Sequence, residues 1–218
     1  MKTKIIIFIL CYIFIVPFTS HSVNITNSKT EKKFKQAKKI INDKLGGITV
    51  AKNGKIIYFA YGSNMLHQRL QKRVSTAIPL GIATLDDYNL VWHKKSKDGS
   101  TKCSIVKGND KDEVYGVLYE FDPSQKSALD KAEGLGYGYE EVDVEVLYKG
   151  KNITAKTYYA TDIIEKILPY KWYKAFVIAG ARSNKLPEDY LEELIKYPAI
   201  VDPNKDRSSD NYEILTGY

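Results

Sequence analysis

Short runs of β-branched and aromatic residues recur along the chain, each bounded by clusters of Gly, Asp and Asn. Three such runs occupy residues 56–61, 81–92 and 114–121, and a shorter one occupies 101–106. Segments of this length and composition, separated by turn residues, are typical of strands. We therefore expect this part of the chain to be rich in short strands.

A further strand is indicated near residues 141–146, where Val alternates with Asp or Glu. A turn at residues 150–152 would return the chain antiparallel to it, with the partner strand at 153–160. The two segments together predict a β-hairpin that has one exposed face.

Apolar residues at helical spacing predict four helices in the same region. Asp122 suits a helix cap, Pro123 a first turn and Gly134 the residue after a helix. The helical segments are 65–73, 123–133, 170–181 and 187–197. Strands and helices do not alternate regularly, which favours an α+β fold with a mixed or antiparallel sheet and flanking helices.

The pattern assigns one domain to residues 56–200, followed by a polar C-terminal tail at 201–218. No G-x-G-x-x-G follows a strand, and the chain has neither a phosphate loop nor a His or Cys pair at metal-ligand spacing. A dinucleotide-binding fold is therefore disfavoured, and we expect no cofactor and no metal.

The N-terminal residues have the pattern of a secretory signal peptide. Lys2 and Lys4 precede 14 consecutive apolar residues at 5–18, and small residues follow up to Ser22. A membrane-spanning helix needs about 20 apolar residues, so a stable span is not expected, although an uncleaved anchor is the alternative. The sequence predicts a signal peptide at 1–22, cleavage near Ser22 and a secreted protein, extracellular or periplasmic.

Residues 23–55 form a lysine-rich extension. It has nine lysines between Lys29 and Lys55 against two acidic residues, and apolar residues at helical spacing predict one amphipathic helix. A weak contact with an anionic surface is one interpretation of these lysines. A solvated helix face is the favoured one, and no nucleic acid is expected as a partner, because no Arg and only one aromatic residue lie among them.

Length and composition are those of an ordinary globular protein. The 218 residues are 44% hydrophobic and 27% charged, enough for one domain with a substantial core. Loss of Lys2 and Lys4 with the leader would lower the net charge from +7 to +5. Cys103 would then be the only cysteine, which excludes an internal disulfide. The oligomeric state is left open.

The first strand runs directly into Gly62-Ser63-Asn64 and then into a segment with helical pattern. Such a turn leaves several backbone N–H groups without partners, which suits an anion or a developing oxyanion. An ordinary turn capped by Ser63 or Asn64 is the alternative interpretation.

Several motifs in order resemble those of the gamma-glutamylcyclotransferase family. They are Tyr61-Gly62-Ser63-Asn64, the segment 113–119, the segment 129–134, Tyr137-Gly138-Tyr139, Thr157-Tyr158, the segment 173–180 and Leu186-Pro187. The resemblance covers residues 57–198. It implies a small mixed, mostly antiparallel β-barrel with flanking helices, in agreement with the strand-rich pattern.

The reaction implied by this resemblance is intramolecular. The α-amine of a γ-glutamyl group attacks its own γ-carbonyl, forms 5-oxoproline and releases the attached amine. The resemblance identifies Glu133 as the general base and acid, which moves the proton from the ammonium to the leaving nitrogen. Neither an enzyme nucleophile nor a metal is required, and the partner is a small γ-glutamyl molecule.

The same resemblance implies a substrate-binding set around the first strand and two later tyrosines. Its members are Tyr58, Phe59, Ala60, Tyr61, Gly62, Ser63, Asn64, Tyr139 and Tyr158. A phenol can hydrogen-bond a carbonyl or a carboxylate, which is the use expected of the tyrosines. The match of Tyr139 to a family tyrosine is less secure than the match of Glu133 to the family glutamate, because the loop between the two residues is one residue shorter than in the animal enzymes.

Two other functions are left open by the residues. A γ-glutamyl hydrolase would use Cys103 as its nucleophile, with His67 or His93 as the base. An exported basic binding module could instead retain the scaffold without catalysis. Arg69 and Arg182 could pair with a substrate carboxylate. The leaving group is also undecided among an amino acid, a lysine isopeptide, a larger conjugate and glutathione.

Overall fold

A computed structural model of the protein describes residues 54–216. This part of the chain contains seven strands and five helices. The strands are β1 (Ile56–Ala60), β2 (Ile78–Asp86), β3 (Tyr88–Lys95), β4 (Thr101–Lys107), β5 (Glu113–Phe121), β6 (Tyr139–Tyr148) and β7 (Lys151–Ala160). The helices are α1 (His67–Gln71), α2 (Lys126–Glu133), α3 (Lys171–Ser183), α4 (Glu188–Lys196) and α5 (Lys205–Thr216).

Five strands close into a barrel in the order β1-β5-β2-β6-β7. All neighbours are antiparallel except β7 and β1, which meet in parallel at Tyr58 and Lys156. Every residue of β1 is buried, because this strand lies between its two barrel neighbours and beneath the helices. The expected mixed, mostly antiparallel barrel is thus confirmed.

The run at 81–92, expected as one strand, is divided between two sheets. Asp87 adopts a left-handed backbone conformation with φ of 63° and ends β2. The chain then continues as β3, which forms a separate two-stranded sheet with β4. An Asp is one of the few non-glycine residues that tolerate this conformation, so the composition of the run did not reveal the break.

The predicted hairpin is β6 and β7, but its turn lies earlier than expected. Tyr148 pairs with Lys151, so the two loop residues are Lys149 and Gly150. Both have positive φ, of 50° and 74°, as a tight hairpin turn requires. Only Gly150 carries a sequence signal for that conformation, which is why the turn was placed too late.

Helix α2 begins and ends as its sequence predicts. Asp122 accepts a hydrogen bond from the Ser124 N–H at 2.9 Å, and a short 3₁₀ turn at Pro123–Gln125 leads into the helix. Gly134 is left-handed, with φ of 74°, directly after Glu133. The stop at Gly134 fixes Glu133 as the last residue of α2.

Helix α3 packs against the turn that follows β1. A Cβ at Gly180 would lie 2.6 Å from the backbone nitrogen of Leu66 and 2.7 Å from the carbonyl carbon of Met65. Glycine at this position therefore allows the helix to approach the turn closely. The buried side chains of Met65 and Phe176 fill the surrounding core.

The C-terminal segment, expected as a polar tail, contains α5. Its attachment is the buried carboxylate of Asp202, which accepts hydrogen bonds from Trp172 of α3 at 2.8 Å and from Arg207 at 2.7 and 2.6 Å. No helix between residues 54 and 216 is long and apolar enough to cross a bilayer. The predicted signal peptide and the lysine-rich extension up to residue 53 lie outside the described residues.

Candidate active site

One small cavity lies where β1 ends, between the barrel, the hairpin β3–β4 and the end of α2. Its lining consists of the post-β1 turn, five tyrosines, one cysteine and one glutamate. These residues are Tyr58, Tyr61, Gly62, Ser63, Asn64, Cys103, Glu133, Tyr139, Tyr158 and Tyr173. Residues from distant parts of the sequence are thus brought together at this point.

The turn after β1 is a single 3₁₀ turn at Ser63–Met65, and all three of its residues are buried. The first amides of a helical turn have no acceptor within it, so those of this turn face away from its carbonyls. Gly62 lies close to its neighbours, since an added Cβ would be 3.3 Å from that of Cys103 and 3.4 Å from the Tyr173 hydroxyl. A larger residue would therefore narrow the cavity.

Glu133 reaches the cavity from the end of α2. Its Oε1 accepts hydrogen bonds from Asn64 Nδ2 and from an Arg73 guanidinium nitrogen, both at 2.7 Å. Its Oε2 makes no hydrogen bond to another residue within the described part of the chain. The side chain is 14% exposed. One carboxylate oxygen is therefore fixed and the other is left for a ligand.

Arg73 is a site residue that sequence reasoning missed. The same nitrogen that bonds Glu133 also donates to Asn64 Oδ1 at 2.9 Å, so the three side chains form a closed arrangement. The planar guanidinium of an arginine fixes the position of the carboxylate with which it pairs. Arg73 lies at the end of a short helical segment whose pattern gave no sign of this role.

Arg69 and Arg182, the arginines proposed for a substrate carboxylate, do not line the cavity. Arg69 donates to Ser63 Oγ at 3.1 Å and stacks 4.1 Å over the Phe176 ring. Burial lowers the pKa of Arg69 to about 10. Arg182 is exposed on the surface of α3. Arg69 thus stabilises the Ser63–Met65 turn from outside the cavity.

The cavity tyrosines differ in whether their hydroxyl groups donate a hydrogen bond to another residue of the protein. Tyr61 donates to the carbonyl of Tyr158, Tyr139 to the carbonyl of Cys103 at 2.6 Å, and Tyr158 to Asp130 at 2.6 Å. These three protons are committed to protein acceptors. Tyr139 and Tyr158 therefore line the cavity as expected, but with their donors already used.

Tyr58 is different, because it accepts a hydrogen bond from Asn64 Nδ2 at 3.0 Å and donates none within residues 54–216. Burial, followed by the nearby charge of Glu133, raises the pKa of Tyr58 well above its usual value of 10. The phenol stays protonated at neutral pH, and its O–H is free to bind a ligand.

Tyr173 was not among the predicted site residues. Its hydroxyl accepts the backbone N–H of Cys103 at 3.0 Å and lies beside that residue's thiol. It therefore joins α3 to β4 at the wall of the cavity. Its place within the family motif at 173–180 was the available signal.

Cys103 lines the cavity but is poorly suited to attack. Burial raises the pKa of its thiol to about 12, so almost none is thiolate at neutral pH. Neither His67 nor His93 belongs to the cavity lining, and His67 instead bonds the carbonyl of Ala77. The residues therefore lack the base that a cysteine nucleophile needs.

Two predicted binding residues, Phe59 and Ala60, lie in the barrel core instead of the cavity wall. The Phe59 ring packs against Gly116 of β5, where an added Cβ would lie 2.5 Å from the ring. Alternation along β1 explains the position of Phe59, because neighbouring residues face opposite sides of a strand. Ala60 shares the face of Tyr58 but does not line the cavity. Tyr58 faces the cavity and Phe59 does not.

Residues 54–216 contain no group of three or more His, Cys, Asp or Glu side chains that could hold a metal ion. Glu133 supplies the carboxylate of the cavity lining. The arrangement can bind a small polar molecule and exchange protons with it.

Comparison with known proteins identifies the class to which this fold and cavity belong. The AIG2-like family matches residues 113–194. The gamma-glutamylcyclotransferase of Bos taurus is 33% identical over 164 residues, which cover 72% of this chain and 85% of the bovine protein. The enzyme of Homo sapiens is 33% identical over 154 residues, covering 68% and 79% respectively.

The solved structures agree. A gamma-glutamyl cyclotransferase structure matches with a TM-score of 0.66 at 30% identity, covering 75% of this chain and 99% of that chain. This chain therefore belongs to the gamma-glutamylcyclotransferase family and is an enzyme of that lyase-type class.

Proposed function

We propose that the enzyme cyclises the γ-glutamyl group of γ-glutamyl amino acids or amines to 5-oxoproline and releases the free amine, with Glu133 moving the proton. The observation that carries this proposal is the Glu133 carboxylate, held by Asn64 and Arg73 at a tyrosine-lined cavity with Oε2 unbound. A carboxyl group that is fixed through one oxygen and open at the other is suited to exchange a proton with a substrate ammonium.

The reaction balances without an external reagent. Glu133 Oε2 takes a proton from the α-ammonium, and the resulting amine attacks the γ-carbonyl carbon to close a five-membered lactam. The bond from that carbon to the leaving nitrogen breaks as Glu133 gives the proton to that nitrogen. The ring nitrogen then loses its second proton to the same carboxylate, which passes it to the released amine, so that the amine leaves as an ammonium ion. Holding both reacting groups of one molecule in a folded conformation supplies much of the rate.

Tyr58 is the candidate donor to the carbonyl oxygen as it gains charge. Its O–H is protonated and has no acceptor among the described residues, whereas the hydroxyls of Tyr61, Tyr139 and Tyr158 are already bonded. Amides at the start of the Ser63–Met65 turn are suited to receive the substrate α-carboxylate.

The alternative of a Cys103-dependent hydrolase has less support, because the thiol is buried, its pKa is about 12 and no histidine lines the cavity. The two reactions differ in product, since hydrolysis releases glutamate and cyclisation releases 5-oxoproline. A catalytically inactive binding module would release neither.

The test is Glu133→Gln, assayed by release of 5-oxoproline from γ-glutamyl-alanine. The amide keeps the shape of the side chain but cannot accept the ammonium proton, so kcat should fall about 10²–10⁴-fold while substrate still binds. Glu140→Gln is the matched control, because Glu140 is exposed on β6 outside the cavity.

Turnover by Glu133→Gln within about threefold of wild type would show that Glu133 has a structural role only. Glutamate as the product of the wild-type enzyme would favour the hydrolase.

A further inference from the structure

A row of five ion-paired side chains joins α2 to the hairpin formed by β6 and β7. Its members alternate in sign and are, in order, Asp130, Lys126, Glu141, Lys156 and Asp143. The first four side chains are between 20% and 24% exposed, and Oε2 of Glu141, the oxygen paired with Lys126, is buried. Partly buried pairs are screened less by salt than exposed ones. This charge row therefore holds α2 against the hairpin.

One end of the charge row reaches the catalytic cavity through Tyr158. The Tyr158 hydroxyl donates to Oδ1 of Asp130 at 2.6 Å, and the same oxygen pairs with Lys126. Tyr158 is buried, and burial, followed by this hydrogen bond, raises the pKa of its phenol above the usual value of 10. The phenol therefore keeps its proton at neutral pH and remains the donor to Asp130.

Tyr158 also contacts the candidate donor of the reaction, Tyr58. The two rings meet edge to face, with their centres 6.0 Å apart. Asp130 lies on α2 three positions before Glu133, which is the last residue of that helix. The hydrogen bond from Tyr158 to Asp130 thus connects the helix that carries Glu133 to the ring that packs against Tyr58.

This connection adds to a direct one between Glu133 and Tyr58. Asn64 Nδ2 donates to both of them, at 2.7 Å to Glu133 Oε1 and at 3.0 Å to the Tyr58 hydroxyl. A shared donor sets the distance of each oxygen from one nitrogen but leaves the orientation of the phenol ring open. Packing of Tyr158 against that ring restricts it. A misplacement of about 1 Å in a catalytic group can cost about 10²-fold in rate, so this restriction matters for turnover.

We propose that Asp130 is a positioning residue for the reaction, which acts through Tyr158 on the geometry between Glu133 and Tyr58. This inference rests on the proposed cyclisation and adds to it a residue that does not line the catalytic cavity. Loss of the hydrogen bond should lower kcat more than it raises KM, because Asp130 is separate from the Ser63–Met65 turn, which is suited to bind the substrate carboxylate.

The experiment is a double-mutant cycle of Asp130→Ala and Tyr158→Phe, assayed by 5-oxoproline release from γ-glutamyl-alanine well below the thermal midpoint of each variant. Each single change should lower kcat roughly tenfold, as expected for one hydrogen bond to a charged group, with KM within about threefold of wild type. The double variant should lose no more than either single variant, because both changes break the same hydrogen bond.

A second variant, Asp130→Leu, separates the hydrogen bond from the volume of the side chain. Leucine fills the space left by the aspartate but accepts no hydrogen bond, so its kcat should be as low as that of Asp130→Ala. Recovery of the wild-type rate in Asp130→Leu would overturn the inference, since packing alone would then explain the loss.

Asp143→Ala is the matched control at the other end of the charge row. Asp143 pairs with Lys156 at 3.2 Å and does not line the cavity, so kcat should stay within about twofold of wild type, as is usual for a surface ion pair. An equal loss in this control would overturn the role of Asp130, because the effect would then belong to the charge of the whole row.

Two results of the cycle would also overturn the inference. They are an unchanged kcat in both Asp130 variants, and losses that multiply to about a hundredfold in the double variant, which would show that Asp130 acts independently of Tyr158. Either result leaves 5-oxoproline release by the wild-type enzyme intact. If the wild-type enzyme yields no 5-oxoproline, the proposed function itself fails and the inference fails with it.

Discussion

At the scale of single residues, Glu133 has a charged partner that its position in the sequence does not indicate. A helix C-terminus disfavours negative charge, which is the expectation for the last residue of α2. The structure adds the Arg73 guanidinium, which forms an ion pair with Glu133 at 2.7 Å. Asn64 and Arg73 thus hold Oε1 of Glu133 in place, and Oε2 has no protein partner among the described residues.

The prediction at this scale concerns the hydroxyl group of Tyr58. Tyr58→Phe removes a cavity phenol whose proton has no acceptor among the described residues, so kcat/KM for 5-oxoproline release should fall about 10²–10³-fold, the usual cost of losing one oxyanion donor. Tyr159→Phe, at a partly exposed position outside the cavity, is the control. A Tyr58→Phe enzyme within twofold of wild type would remove Tyr58 from the mechanism.

At the scale of elements, the cavity depends on helices that contribute few residues to it. Helix α3 packs closely against the Ser63–Met65 turn at Gly180 and so stabilises it. Helix α5 in turn is tied to α3 by Asp202, which bonds Trp172. The C-terminal segment therefore stabilises the scaffold on which the turn is held.

Asp202→Asn tests that attachment. Hydrogen bonds from Arg207 and then Trp172 hold the pKa of Asp202 at about 2, below its usual value of 3.8. The variant should lose roughly 1–3 kcal/mol near neutral pH, with a thermal midpoint lower by about 2–4 °C per kcal/mol.

The pH dependence follows from the lowered pKa. The ionised Asp202 contributes stability above about pH 4, and that contribution is lost as the pH falls toward 2. The thermal midpoint of wild type should therefore converge on that of Asp202→Asn over this range, with the exposed Asp210→Asn as control. A constant difference between the two midpoints down to pH 2 would contradict the role of the charge.

At the scale of the whole molecule, we propose that the enzyme is exported, on the basis of the leader at 1–22. The full chain expressed in a secreting host should appear outside the cytoplasm with Val23 as its first residue, because 14 apolar residues are too few for a span. N-terminal sequencing is the measurement, and a chain that lacks residues 1–22 is the control. Intact Met1 in a cytosolic fraction would disprove export.

Local sequence determined the elements whose signals are contained within them. Asp122 caps the 3₁₀ turn that leads into α2, and Gly134 ends the helix, which placed Glu133 at its last position. The family motifs pointed to the turn after β1 and to the barrel. Weak local signals failed, as at Asp87, where one left-handed residue ended a strand, and in α5, where most of the residues are polar.

Only the tertiary structure decided which cavity residues form hydrogen bonds and ion pairs with one another, because these contacts join residues that are far apart in the chain. Arg73 and Glu133 are 60 positions apart, and no local pattern indicates that they pair. Whether a cavity tyrosine has an acceptor for its hydroxyl proton also depends on distant residues. The acceptor of Tyr139, for example, is the carbonyl of Cys103, which is 36 positions away in the chain. Sequence patterns record propensity and burial period, whereas a hydrogen bond across the barrel depends on how strands and helices pack.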